Sequence, residues 1–150
     1  MKNIIGFSCF YHDSAAAYIR DGEIICAVQE ERFSRIKHDN SFPENSINYI
    51  LASNKLELND IDYFIFYEKP FLKFDRILET FFSSAPLGFK SFLKGFPLWT
   101  KEKIFQKEII FNCLKNISNN ISKEKIYFSE HHLSHAASAF YPSKFEKSLI

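Results

Sequence analysis

The sequence has almost no net charge, few cysteines and no long apolar run at its start, and each shortage excludes something. Lys and Arg number 19 against 18 Asp and Glu, a formal charge of +1. Domains that track phosphate backbones carry a clear basic excess, so no nucleic-acid partner is expected. Cys9, Cys26 and Cys113 form an odd, widely spaced set without a C-x-x-C pair. That argues against a disulfide framework or a cysteine zinc site and fits a reducing cytoplasm. The N-terminus, MKNIIGFSCFYHD, has one lysine and a short apolar stretch that soon meets His12 and Asp13. It is too short and too polar for an export signal or a membrane span. There is no internal repeat and no low-complexity tract. What remains is a 150-residue chain of ordinary apolar and charged content, long enough to bury a core as one globular unit.

The punctuation of the chain predicts its elements. Ile4 to Phe10 reads as a short apolar strand. Ala15 to Arg20, then Asp21-Gly22, then Glu23 to Gln29 reads as a hairpin, because Asp-Gly accepts the positive φ angles of a type I′ turn. Pro43 suits the first turn of a helix that runs through Ile47, Ile50 and Leu51. Asp62 to Tyr67 and Lys125 to Phe128 are two further strands. The second leads into a helix for which Ser129 is the expected cap and Glu130 suits the positive end of the dipole. Phe145 to Ile150 looks like the opening of another strand, as though the protein were truncated there. The order predicts an α/β fold, a mixed sheet with helices on its faces.

Between about residues 70 and 114 the composition shifts: Phe71, Phe74, Phe81, Phe82 and Trp99 interleave with Lys73, Lys90, Lys94 and Lys101. Such a pattern can describe an amphipathic membrane-surface or partner-binding segment. Aromatics at helical spacing more often build a core with lysines on its solvated face, so no membrane partner is expected and the segment is read as several short helices broken at Pro86, Gly88, Gly95 and Pro97.

Three stretches carry candidate chemistry. In FYHDSAAAYIRDG, His12 and Asp13 link the first strand to the hairpin, where backbone amides and small residues can approach a phosphate; the dipeptide alone reads better as a turn with His12 on the surface. In QEERFSRIKHD, Arg32, Arg35, Lys37 and His38 stand beside Glu30 and Glu31. By itself that is a solvated charge run, although such basic groups also neutralise phosphorylated substrates. In FSEHHLSHAASAF, His131 and His135 are four apart and share one helical face while His132 points elsewhere. Two imidazoles on one face can share a metal ion, but they leave its shell incomplete. His132 stands where H-E-x-x-H would have glutamate, so peptidase chemistry is not expected.

Taken together, YHDSAAA, EERFSRIKHD and HHLSHAASAF, in this order and spacing, resemble the N-terminal region of the nodulation-type O-carbamoyltransferases. The resemblance implies that residues 1–150 are the N-terminal part of a carbamoyltransferase domain. It implies the first half of an actin-like ATPase superfamily domain, similar to the enzyme that transfers threonylcarbamoyl to transfer RNA. In complete members, carbamoyl phosphate and ATP become carbamoyl adenylate in a separate C-terminal domain, and the domain read here passes the carbamoyl group to a hydroxyl of a small-molecule acceptor. By position in the motifs, His131 and His135 are implied ligands of a divalent metal, iron or zinc. His12 is the implied base at the acceptor hydroxyl, and Lys37 the implied partner of the adenylate. Asp13, Ser14 and Arg32 are expected to bind the cofactor. A further acidic metal ligand and the adenylate-forming domain are expected outside this chain, on a continuation or a separate chain. The alternative is a noncatalytic subunit or remnant that keeps the fold and binds nucleotide, metal or partner.

Overall fold

The computed structural model describes residues 1–69, 78–83 and 105–149. Five strands, β1 (Asn3–Ser8), β2 (Ala15–Arg20), β3 (Glu23–Gln29), β4 (Tyr63–Phe66) and β5 (Ile126–Phe128), form one mixed sheet in the order β3-β2-β1-β4-β5. β1 pairs antiparallel with β2 and β2 with β3, whereas β1, β4 and β5 run parallel. The hairpin turns where the sequence predicts it, with Asp21 at φ 50° and Gly22 at φ 91°, as a type I′ turn requires. β1 ends at Ser8, two residues earlier than expected, because Phe10 adopts φ 68° and leaves the ladder.

Alternation decides which face is buried, since neighbouring side chains on a strand point to opposite faces. Ile5, Phe7, Ala16, Tyr18, Phe64, Phe66 and Ile126 are buried on one face. That face packs against helix α2 (Glu44–Asn54), whose Ile47, Ile50 and Leu51 recur at helical spacing, and against helix α3 (Gln106–Ile117) through Ile110 and Leu114. Phe66 sits under the edge of this core, its ring 5.7 Å from Phe7, 6.4 Å from Phe10 and 6.0 Å from Phe128. Pairs of this kind each add about 0.5–1.5 kcal/mol beyond the area they bury. A short helix α1 (Glu31–Ser34) follows β3, and helix α4 (His131–Phe140) follows β5.

Two sequence expectations change. Ser129 does not cap α4: its N–H donates to the Phe66 carbonyl at 2.8 Å, extending the strand pairing, and Glu130 takes the cap position with no side-chain cap bond. Residues 145–149 form no strand, since none of the five strands pairs with them. The Phe/Lys-rich segment lies mostly outside the described residues; its described parts, 78–83 and the start of α3, are helical. No helix among the described residues is long and apolar enough to cross a membrane.

Candidate functional site

Strand direction gathers the three motifs at one edge. β1, β3, β4 and β5 all point the same way, because β3 is antiparallel to a strand that is antiparallel to β1. The segments that follow them, loop 9–14, α1 with loop 35–41, residues 67–69 and α4, therefore leave the sheet at the carboxyl ends of these strands. Ligands of open α/β sheets bind outside such ends.

The first two segments are tied together. Phe10 N–H donates to the Asn40 carbonyl and Ser14 N–H to the Asp39 carbonyl, both at 2.8 Å, while Ser14 Oγ donates to the Ser41 carbonyl at 2.5 Å. Four of the six described non-glycine residues with positive φ lie here: Phe10, Asp13, Arg35 and His38. Such backbone costs about 1–3 kcal/mol per residue and persists where surrounding contacts enforce it. The contacts end on Asp13. His12 Nδ1 lies 2.8 Å from Asp13 Oδ2, and His38 Nδ1 lies 2.9 Å from Asp13 Oδ1. These bonds, that from His38 first and that from His12 second, hold the Asp13 carboxyl below the usual carboxylate range.

The other predicted residues divide between surface and frame. Lys37 is exposed and precedes His38. Arg32 is exposed, 3.6 Å from Glu31 Oε1, and lines a shallow hollow with Ala15, Val28 and Gln29, apart from the histidine–aspartate cluster. Ser14 is buried, so its hydroxyl braces the loop. Glu30, read from sequence as part of a solvated charge run, is 2 % exposed. Its carboxylate accepts from the backbone N–H and side chains of Asn45 and Ser46 at 2.7–3.0 Å, closing the start of α2. A buried charge survives when hydrogen bonds replace its water, and Glu30 thereby anchors the segment that carries Arg32, Lys37 and His38.

On α4 the four-residue spacing does what the sequence predicts. The Nε2 atoms of His131 and His135 face each other at 3.2 Å, with ring centroids 4.6 Å apart. Metal–imidazole bonds are about 2.0–2.1 Å, so two Nε2 atoms this close could both reach one divalent transition metal ion. His131 Nδ1 is buried with no hydrogen-bond partner. Among the described residues no third His, Cys, Asp or Glu joins the pair.

Tyr67, missed by sequence reasoning, lies between the two groups. Its ring is 5.6 Å from that of His131, its carbonyl accepts from Ser134 Oγ at 2.9 Å, and Tyr11, whose charge would raise the Tyr67 phenol slightly, has its ring tilted against His12 at 4.7 Å. Burial first, then the Glu68 carboxylate, pushes its phenol up to about 12, so it remains a neutral donor at physiological pH. The only signal in the sequence was its place at the end of DYFIFY.

Comparison with known proteins identifies the family. The chain is 46% identical over 152 residues to the uncharacterized protein sll1178 of Synechocystis, covering 100% of this chain and 25% of that protein. It is 37% identical over 145 residues to the nodulation protein NolNO of Sinorhizobium fredii, covering 94% of this chain and 19% of that protein. It is 29% identical over 142 residues to the uncharacterized protein MJ1051 of Methanocaldococcus jannaschii, covering 95% of this chain and 20% of that protein. The chain thus spans a quarter or less of these relatives. The carbamoyltransferase N-terminus pattern matches residues 3–150, which takes in both histidine groups and the loops between them, and the chain belongs to that family.

Proposed function

We propose that this chain supplies the acceptor side of an O-carbamoyltransferase, passing a carbamoyl group from carbamoyl adenylate to a hydroxyl of a small molecule. The observation that carries the reading is the emergence of an exposed imidazole, His12, and a metal-competent histidine pair, His131 and His135, at one edge of one sheet, within a chain that belongs to the carbamoyltransferase N-terminus family. The same reading assigns the mixed sheet to the first half of an actin-like ATPase superfamily domain and leaves adenylate formation, from carbamoyl phosphate and ATP, to residues outside this chain.

The chemistry fits the groups. The acceptor oxygen bonds to the carbamoyl carbon, the carbon–oxygen bond to the adenylate phosphate breaks, and the hydroxyl proton passes to His12. Negative charge grows on the carbonyl and leaving phosphate. In this reading Lys37, exposed on loop 35–41, and the Tyr67 phenol, a donor that stays protonated, offset it. His131 and His135 would hold a divalent ion, iron or zinc, which when bound supplies Lewis-acid stabilisation of oxygen charge. Arg32, exposed and apart from that cluster, is assigned to a phosphate of the cofactor.

The test uses the complete enzyme and follows two partial reactions. His12→Asn is expected to lower carbamoyl transfer to acceptor by about 10²-fold or more and to leave adenylate formation nearly unchanged. Equal loss of both reactions, or normal transfer, removes His12 from the acceptor step.

A further inference from the structure

His38 belongs to no role assigned so far, yet it is the residue that ties loop 35–41 to the reacting loop through side chains. Asp13 has two carboxylate oxygens and each meets one imidazole: Oδ2 meets His12 Nδ1 at 2.8 Å and Oδ1 meets His38 Nδ1 at 2.9 Å. An ionised carboxylate only accepts, so both Nδ1 atoms carry the proton in these bonds. His12 then presents Nε2 as its lone pair, the arrangement by which a carboxylate fixes the tautomer of a working imidazole. Asp13 is itself partly exposed and held at φ 49°. Without a second donor its carboxylate is free to rotate away toward water. His38, also left-handed at φ 55° and hung from a loop that Phe10 and Ser14 pin by backbone hydrogen bonds, closes that freedom.

We propose that His38 is a positioning residue: by occupying Asp13 Oδ1 it fixes the carboxylate that keeps the His12 proton on Nδ1 and leaves Nε2 open to take the acceptor proton. The role also redirects Asp13, whose oxygens are both engaged by histidines, from binding a negatively charged cofactor to orienting His12. The lowered titration range of Asp13 accords with two donors on one carboxylate. This inference rests on the reading of His12 as the base, and the two can fail separately.

The experiment is long-range ¹H–¹⁵N correlation of the histidine rings in the 150-residue chain near neutral pH, which reports the tautomer without any turnover. Wild-type His12 is expected in the Nδ1–H form. His38→Gly removes the donor while suiting the positive φ, and is expected to lose that pattern in favour of Nε2–H. His38→Asn, which also tolerates left-handed backbone and offers an N–H, is expected to restore it. Backbone amide shifts of Phe10 and Ser14 report whether the loops stay pinned. If glycine moves them, His38→Asp, left-handed and donor-free when ionised, takes its place under the same criteria. Nε2–H in the wild type, Nδ1–H retained in the donor-free variant, or failure of His38→Asn to restore it overturns the proposal. Normal carbamoyl transfer by His12→Asn in the complete enzyme would instead overturn the base assignment and leave the tautomer result standing.

Discussion

The two histidine groups at the sheet edge are built in opposite ways. His12, Asp13 and His38 come from two loops that reach each other across the fold and are joined by hydrogen bonds of three kinds: imidazole to carboxylate, amide to carbonyl, hydroxyl to carbonyl. His131 and His135 come from one turn of one helix, with their Nε2 atoms turned toward each other and His131 Nδ1 left without a partner. The loop group is complete from protein atoms and gains orientation by being complete. The helical pair needs no distant contact to form, and among the described residues its two Nε2 atoms meet only each other. The proposed function uses both designs: a base would be held in one tautomer, whereas a ligand pair would turn its lone pairs to an ion.

Removing what the two groups share should have the largest effect. Phe66 is fully buried and its ring lies 4.8 Å from Tyr67 as well as against Phe7, Phe10 and Phe128. Phe66→Ala is expected to cost about 3–5 kcal/mol, read by urea unfolding, and to disturb the ring shifts of both groups. A shift change confined to one group would mean that the core does not support them jointly.

A smaller loss should separate them. Glu30→Ala strips the acceptor from Asn45 and Ser46 at the start of α2 and is expected to cost about 2 kcal/mol. Amide exchange should rise at Asn45, Ser46 and along loop 35–41, while the His131 and His135 rings keep their shifts. Equal disturbance on α4 would show the groups to be coupled more tightly than their separate anchoring implies.

Acid should weaken the loop group in a direction that can be worked out. The Asp13 carboxyl titrates below its usual range in the fold because His38, then His12, donates to it. Its contribution is therefore fully present above the unfolded value of about 3.9 and is lost as pH falls through the lower folded value. Asp13→Asn lacks that contribution at neutral pH, so thermal melts taken down through that acid range should fall less steeply than those of the wild type. Parallel slopes would mean that the two histidine bonds do not stabilise the folded chain.

The smallest stability effects belong to α4. Single alanine variants of His131, His132 and His135 should each stay within about 0.5 kcal/mol of the wild type, because α4 has no buried residue. Cobalt or zinc titration should nonetheless distinguish them: His131→Ala and His135→Ala lose binding, and His132→Ala keeps it. Loss with His132→Ala alone would break the contrast between a completed group and an open pair.

Much of the fold was legible because its determinants are local. Alternating burial along β1, β2 and β4, the Asp-Gly turn and the Ile47, Ile50, Leu51 stripe of α2 follow from side-chain periods of two and 3.6. The misreadings arose where a distant partner decided the matter. Ser129 reads as a cap until the Phe66 carbonyl takes its N–H, and Glu30 reads as solvated until α2 places two amides on it.

The sequence by itself determined that His131 and His135 share a face and that His132 does not, because four residues along a helix return to the same side whatever surrounds it. Only the tertiary structure decided that His38 meets Asp13 across 25 positions and that Tyr67 stands beside His131. Those meetings depend on strands of one direction delivering separate loops to one sheet edge, and strand order is set by the packing of the whole core, which no local period encodes.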